Sequence, residues 1–269
     1  MILGIDVGGS TTKVVGLRDG ELVGAMQVRA ADQVTSLYGA IGSFLRENGI
    51  KLSEVSYFAL TGVGASFIDE PIYGIETHKI DEFIAVGKGA LHLSGLEEAL
   101  AVSMGTGTAF VRAGRGTVTH MGGSGVGGGT IVGLASLILG KSDIATILAL
   151  AEEGKLENVD LSVSDIISRE IPSLSSNLTA ANFGRIKSTA SESDIALGIL
   201  NMVFQTTGML AVFILHNDTI RDIVLTGMLA SFPQAGGIFA RFRDLTDLNF
   251  IIPPNAVYAT ALGAAHCVV

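Results

Sequence analysis

Cysteine occurs once in the 269 residues, as Cys267. A single cysteine excludes a disulfide framework and a cysteine-built metal cluster within one chain. Third from the end in an apolar tail, it reads as a small buried hydrophobe. Basic residues are scarce: 17 Lys and Arg stand against 26 Asp and Glu, for a formal net charge of -9 at pH 7. A nucleic-acid backbone and an anionic membrane surface would both repel such a chain, so neither is expected as a partner. A nucleotide site survives this test, because it needs only local positive potential. His78, His92, His216 and His266 lack metal-ligand spacing, and His92 falls on a helical pattern where it is expected to face solvent. No Gly-x-Ser-x-Gly elbow is present. No basic segment followed by an apolar run opens the chain, so no signal peptide is read and a cytoplasmic protein is expected.

One uncharged run needs a membrane check. Ile195 to Leu215 carries no formal charge and is long enough to span a bilayer. It holds Asn201, Gln205, Thr206 and Thr207, and its flanking charges are Asp194 and Asp218 without Lys or Arg anchors. A central helix buried in a globular domain fits better than a membrane span. At this length the chain buries on the order of three quarters of its unfolded surface.

Glycine, by contrast, is abundant, with 35 residues, and it gathers at turns. Ile2 to Ile5 reads as a buried strand that ends on Asp6 and turns through Gly8-Gly9 into Ser10, Thr11, Thr12 and Lys13. Two glycines admit an anion close to the backbone, and the N–H groups, hydroxyls and ammonium there suit phosphate oxygens. Asp6 suits a hydrated Mg²⁺ over the same phosphates. A second turn, Gly105-Thr106-Gly107-Thr108 after the strand Ala99 to Met104, repeats this logic. A third segment, Gly122 to Gly129, has six glycines in eight residues and opens a helix from Thr130 to Leu139, whose N-terminus is a natural anion site.

Further strands are expected over Thr12 to Leu17, Glu21 to Val28, Tyr57 to Thr61, Thr108 to Ala113, Thr117 to Met121, Asp222 to Leu225 and Phe250 to Ile252. Val34, Leu37, Tyr38, Ile41, Phe44 and Leu45 share one face of a helix over Val34 to Asn48. Asp81 to Ser94 and Ala259 to Val268 read as further helices. The strand, Gly-rich turn and hairpin strand at Asp6 to Leu17 return at Ser103 to Val111. Two such halves suggest a ligand clamped between two lobes.

Asp6-Val-Gly-Gly-Ser-Thr-Thr-Lys13, Met104-Gly-Thr-Gly-Thr108, Met121-Gly-Gly-Ser-Gly-Val-Gly-Gly-Gly129 and Leu178-Thr-Ala-Ala-Asn-Phe-Gly184 together resemble the type II, or fumble-like, pantothenate kinases of the sugar kinase and actin ATPase superfamily. The resemblance implies an α/β, two-lobed actin-like ATPase (ribonuclease H-like) fold with duplicated mixed-sheet lobes, here 1–98 and 99–269. In such folds the last helix often packs back on the first lobe. It implies ATP and Mg²⁺ as cofactors, a small-molecule alcohol as acceptor, and a homodimer with the long central helix at the contact.

By the same resemblance, Glu82, in Glu82-Phe83, is the general base toward the pantothenate hydroxyl, with Asp6 organising Mg²⁺ through water. Nucleotide contacts fall on Gly8, Gly9, Ser10, Thr11, Thr12 and Lys13, on Gly105, Thr106 and Gly107, on Gly127, Gly128, Gly129, Thr130, Ile131 and Val132, and on Gly227 and Met228. Thr108 and His120 fall on the acceptor side. One departure stands out: the family usually carries an arginine just before the glycine cluster, where it meets the pantothenate carboxylate, and this chain has His120-Met121. An imidazole lacks the bidentate fork of a guanidinium. The expectations are weaker carboxylate binding, another alcohol such as pantetheine, or rescue by Arg112, Arg115 or Arg185. N-acetylhexosamine kinases and the ATP-switched activators of 2-hydroxyacyl-CoA dehydratases share the superfamily fold. The activators bridge an iron–sulfur cluster with paired cysteines, which a lone Cys267 does not supply.

Overall fold

The computed structural model describes residues 1–30, 32–114, 116–167, 179–243 and 245–268. Arg115 and Leu178, named above, lie outside the described residues. Strands β1 (Ile2–Val7), β2 (Thr11–Arg18) and β3 (Glu21–Arg29) form an antiparallel meander. Helix α1 (Gln33–Glu47) leads to β4 (Tyr57–Thr61) and the short β5 (Thr77–Lys79), which add parallel to β1. The resulting order is β3-β2-β1-β4-β5. β1 is central and covered on both faces, which is why it reads as an unbroken apolar run; Leu3, Ile5 and Val7 are fully buried.

The periodicity of α1 is that of a helix laid on this sheet. Asp32 caps it, accepting from the Thr35 N–H at 2.7 Å, and Leu37, Ile41 and Phe44 bury against Leu3, Ile5 and Val14. Burial of a side chain such as Phe44 contributes about 2–3 kcal/mol. After β5, Asp81 caps α2 (Glu82–Ser94) by accepting from the Phe83 and Ile84 N–H groups. Glu82 is therefore the first helical residue.

The second half repeats the arrangement. β6 (Glu98–Met104), β7 (Thr108–Gly114) and β8 (Thr117–Ser124) form another meander. Helices α3 (Gly128–Leu139) and α4 (Ile144–Glu152) follow, then a small antiparallel pair, β9 (Leu161–Ser162) with β10 (Thr179–Ala181). The long α5 (Glu192–Ile214) leads to β11 (Asp222–Thr226), α6 (Pro233–Arg243), β12 (Asn249–Ile251) and α7 (Ala259–Ala265). The order β12-β11-β6-β7-β8 matches the first sheet position for position. Part of the glycine cluster, Gly122 to Ser124, extends β8, and α3 begins at Gly128. β5, α4, α6 and the small pair have no counterpart in the sequence patterns, and α7 stops at Ala265, short of Val268.

Helix α5 has the length and composition of a membrane span, yet its polar residues are tied into the protein. The Asn201 amide donates to the buried Asp160 carboxylate at 2.8 Å, and the Asn182 amide donates to Gln205 Oε1 at 3.0 Å. Asp160 also accepts from the Phe183 N–H at 2.9 Å. This network seats the Thr179 to Gly184 string against α5 and accounts for polar residues in an apolar helix. Its N-terminus closes as a capping box: Asp194 N–H donates to Ser191 Oγ at 3.2 Å and Ser191 N–H to Asp194 Oδ2 at 2.8 Å.

The last helix of each half crosses over. α2 packs on the second sheet through Val86 and Ala90 against Ala99, Ala101 and Val111. α7 packs on the first through Ala261, Leu262 and Ala265 against Val15 and Leu17. Where the two helices cross, a Cβ on Gly89 would lie 1.8 Å from the Ala259 carbonyl oxygen, and one on Gly263 1.8 Å from that of Ala85. Only glycine permits this approach.

Candidate active site

β1 delivers Asp6 to the end of the first sheet, and the antiparallel register sets Lys13 directly opposite. The Lys13 ammonium lies 3.1 Å from Asp6 Oδ2, and both side chains are about nine-tenths buried. The intervening turn is closed by the Gly8 N–H donating to the Thr11 carbonyl at 3.0 Å, which leaves Gly9 and Ser10 exposed at its tip. Thr12 alternates to the opposite face of β2; it is fully buried, and its hydroxyl has no hydrogen-bond partner among the described residues.

The three glycine turns come together. Ser10 Oγ and Thr106 Oγ1 are 3.2 Å apart, joining the first turn to the second across 96 residues. The N–H groups of Gly128 and Gly129 donate to the carbonyls of Gly105 and Thr106, each at 2.9 Å, joining the second turn to the start of α3. A Cβ on Gly128 would meet Leu229, which brings the Gly227-Met228 loop to the same place. One expectation needs correction here. The helix-start amides read from the sequence as awaiting an anion are already engaged at Gly128 and Gly129, because the helix uses them to clamp the second turn. Similarly, the Gly127 N–H donates to Thr130 Oγ1 at 3.1 Å, the Gly227 N–H donates to the Ala256 carbonyl at 3.0 Å, and the Ile131 side chain is fully buried in the core. Val132 and Met228 pack half-buried against that same core. Thr108 is buried and its hydroxyl donates to the Val126 carbonyl at 2.8 Å, so that proton is committed inside the turn.

Glu82 faces this group from α2. Partial desolvation by the cleft walls pushes its carboxyl above the usual carboxylate range, and the negative charges of Asp6 and Asp81 push the same way while Lys13 opposes. The side chain remains open to solvent, so the desolvation comes from the surrounding walls and water still reaches it. The next residue, Phe83, stacks flat on His120 of β8, with ring centroids 3.8 Å apart and planes within 10°. Neither described arginine stands in beside His120. Arg112 alternates to the other face of β7 from Val111, the residue paired with His120, and its guanidinium is bound to Asp218 at 3.1 Å. Arg185 is bound to Asp165.

Sequence reasoning missed Gly62. Its φ is +87°, and a Cβ added there would lie 2.6 Å from Asp6 Oδ1, so the position requires glycine. The signal was present as a repeated Thr-Gly dipeptide at the ends of β4 and β11, Thr61-Gly62 and Thr226-Gly227. Thr61 lies in register with Asp6, as Thr226 does with Ser103.

Comparison with known proteins agrees with this architecture. A type II pantothenate kinase of Bacillus cereus (strain G9842) is 26% identical over 97% of this chain and 96% of its own length. One from Staphylococcus saprophyticus is 26% identical over 99% of this chain and all of its own length. Among solved structures, component A of the (R)-2-hydroxyglutaryl-CoA dehydratase of Acidaminococcus fermentans superposes with a TM-score of 0.71 at 19% identity, covering 98% of this chain and 95% of that one. The ROK hexokinase of Thermus thermophilus gives a TM-score of 0.56 at 15% identity, covering 98% and 97%. The fold is thus the actin-like ATPase and ROK kinase type. A sequence model described as Fumble matches residues 97–234, just over half the chain and inclusive of the second turn and the whole glycine cluster, and the chain belongs to the Fumble family.

Proposed function

We propose that the protein is an ATP-dependent kinase that transfers the γ-phosphoryl group of ATP to the primary hydroxyl of pantothenate, the first step toward coenzyme A. The observation that carries this reading is the convergence of Ser10, Thr106 and the Asp6–Lys13 pair beneath Glu82. The near-full-length similarity to type II pantothenate kinases supports the choice of acceptor.

Phosphoryl transfer is largely positioning and charge neutralisation. In this reading the exposed tip of the first turn, with Gly9, Ser10 and Thr11, and the second turn with Thr106 hold the phosphates, while Gly227 and Met228 border the adenosine. Among the described residues no group of three or more His, Cys, Asp or Glu is placed to hold a metal ion. A single carboxylate, Asp6, fits a cation carried mostly by phosphate and water. Mg²⁺ bound there would neutralise charge on the transferring phosphate. Lys13 keeps Asp6 oriented from the opposite strand. Glu82, a stronger base than an ordinary carboxylate because its carboxyl is raised, accepts in its ionised form the proton of the acceptor hydroxyl as the new O–P bond forms and ADP leaves.

The proposed lobes are 1–98 and 99–269, each sheet covered by a helix from the other half. The proposed assembly is a cytoplasmic homodimer joined through α5. It is supported by the exposed apolar side chains Met209 and Phe213 toward the C-terminal end of α5, which are suited to burial. Light scattering at micromolar concentration checks it, and a monomer would refute it.

The test of the reaction is ADP release over a panel of pantothenate, pantetheine and N-acetylhexosamines. Release that depends on pantothenate is expected. Release independent of any acceptor would favour an ATP-driven switch, and dependence on another alcohol would reassign the substrate.

A further inference from the structure

The first turn of α2 has few attachments. Glu82 and Ile84 are exposed, and the first fully buried residue of the helix is Ala85. Two contacts fix this turn: the Asp81 cap below it, and the ring of Phe83, which lies on the second sheet beside Val118 and stacks on His120. His120 belongs to β8, paired with Val111 of β7. Further along the chain, just past the end of that strand, Gly128 donates to the second turn at Gly105. β8 therefore connects the phosphate-side turns just past its end to the neighbour of Glu82 at its middle, through a bulge at Met121.

The stack also limits what His120 can do. One face of the imidazole is covered by Phe83, so only its edge nitrogens and its outer face remain for any ligand. Among the described residues His120 makes no hydrogen bond and no ion pair.

We propose that His120 is a positioning residue: through its stack on Phe83 it holds Glu82 at a fixed offset from the phosphate turns, and its ring plane matters more than its nitrogens. This inference rests on the kinase reading. It assigns to a strand residue of the second half the alignment of a base carried by the first. On this assignment the ring face, and not the free edge nitrogens, carries the role, so acceptor affinity is expected to be insensitive to loss of the nitrogens.

The test compares His120→Phe, His120→Ala and Phe83→Ala in steady-state kinetics with pantothenate and ATP. Small displacements of a reacting group cost on the order of 100-fold, so a loosened base should lose at least about 10-fold in kcat in His120→Ala and in Phe83→Ala, with the ATP KM within about twofold. His120→Phe keeps a flat ring and should recover most of the rate, with the pantothenate KM within about threefold. The double variant Phe83→Ala/His120→Ala should be no slower than the slower single one, because both remove one contact. In the unaltered protein the His120 ring protons should show an upfield ring-current shift that Phe83→Ala abolishes. The proposal is overturned if His120→Phe is as slow as His120→Ala, or if its pantothenate KM rises tenfold or more, since the nitrogens would then meet the acceptor. Acceptor-dependent turnover that is absent in the unaltered protein overturns the kinase reading and this proposal together. Turnover present there but unchanged in His120→Ala overturns this proposal alone.

Discussion

The two halves of the molecule share a strand order and differ in charge. In the first, Asp6 lies in register with Lys13 on one side and Thr61 on the other. In the second, the corresponding position is Ser103, in register with Ala109 and Thr226. The Thr-Gly turn is kept in both, down to a φ near +85° at Gly62 and Gly227 and the following 3-10 turn closed back on that glycine's carbonyl. Duplication thus preserved the backbone device while the ion pair stands in one copy alone. The first half carries the buried ion pair and, in the proposed reaction, the charged groups. The second is a neutral cradle whose amides lock its own turns together.

Glu82→Gln tests the charged half most severely. Removing the base should cut kcat at least about 100-fold while ATP binding stays near normal; unchanged turnover would remove Glu82 from the role. With its carboxyl raised by burial and by Asp6, the base is needed ionised, so kcat/KM in the parent should fall as pH drops toward the Glu82 value, with a midpoint above 4.5, the ordinary glutamate value.

The equivalent glycines provide the sharpest contrast between halves. At Gly62 an added Cβ would lie 2.6 Å from Asp6 Oδ1; at Gly227 it would lie 2.5 Å from the Met104 carbonyl. Gly62→Ala strains backbone as well, since the added Cβ would also lie 2.6 Å from the Val7 carbonyl oxygen, and in addition it should displace the proposed Mg²⁺-organising carboxylate of Asp6 and lower kcat about 10-fold or more. Gly227→Ala should strain backbone alone, costing about 1–3 kcal/mol of stability and raising the ATP KM. Identical kinetic signatures for the two would break the comparison.

A smaller effect is expected at Asp194, which anchors α5 in the second half alone. Burial pushes its carboxyl up, but the Ser191 and Lys155 N–H groups, the Ser191 hydroxyl and the Asn158 amide more than offset this and bring it down to about 2 from 3.8. A depressed carboxyl contributes stability above its unfolded value and loses it as pH falls through the folded one. Asp194→Asn should thus lower urea-measured stability by about 1–3 kcal/mol at pH 7, and the gap should narrow between pH 3.8 and about 2. Least affected should be Ser10→Ala, which removes the hydroxyl contact to Thr106. A loss of about 0.5–1 kcal/mol corresponds to a two- to fivefold rise in ATP KM.

Much of the chain was legible locally. β4 appears with the boundaries its β-branched and aromatic run suggests, and β1, β2, α1 and α2 lie within a residue or two of their patterns. Other elements were hidden for identifiable reasons. β5 is three residues long and half exposed, too short to show alternation. α6 opens on Pro233 and carries Gly236-Gly237, so its composition reads as loop although Pro at the first helical position is favourable. At the site, Asp6, Lys13, Ser10 and Thr106 were visible as turn residues. The Phe83–His120 stack was not, because its partners lie 37 positions apart on elements whose packing no local pattern encodes.

Sequence alone determined the repeated strand–glycine turn–strand units, the helix α2 and the acidic residue near its start, since each depends on side chains within a few positions of one another. Tertiary structure decided which turn meets which, how α2 and α7 exchange sheets, and that the Gly128 and Gly129 amides serve the second turn. Those outcomes depend on close approaches between segments far apart in the chain, and a hydrogen bond or a missing Cβ acts only once folding has brought its partner within reach.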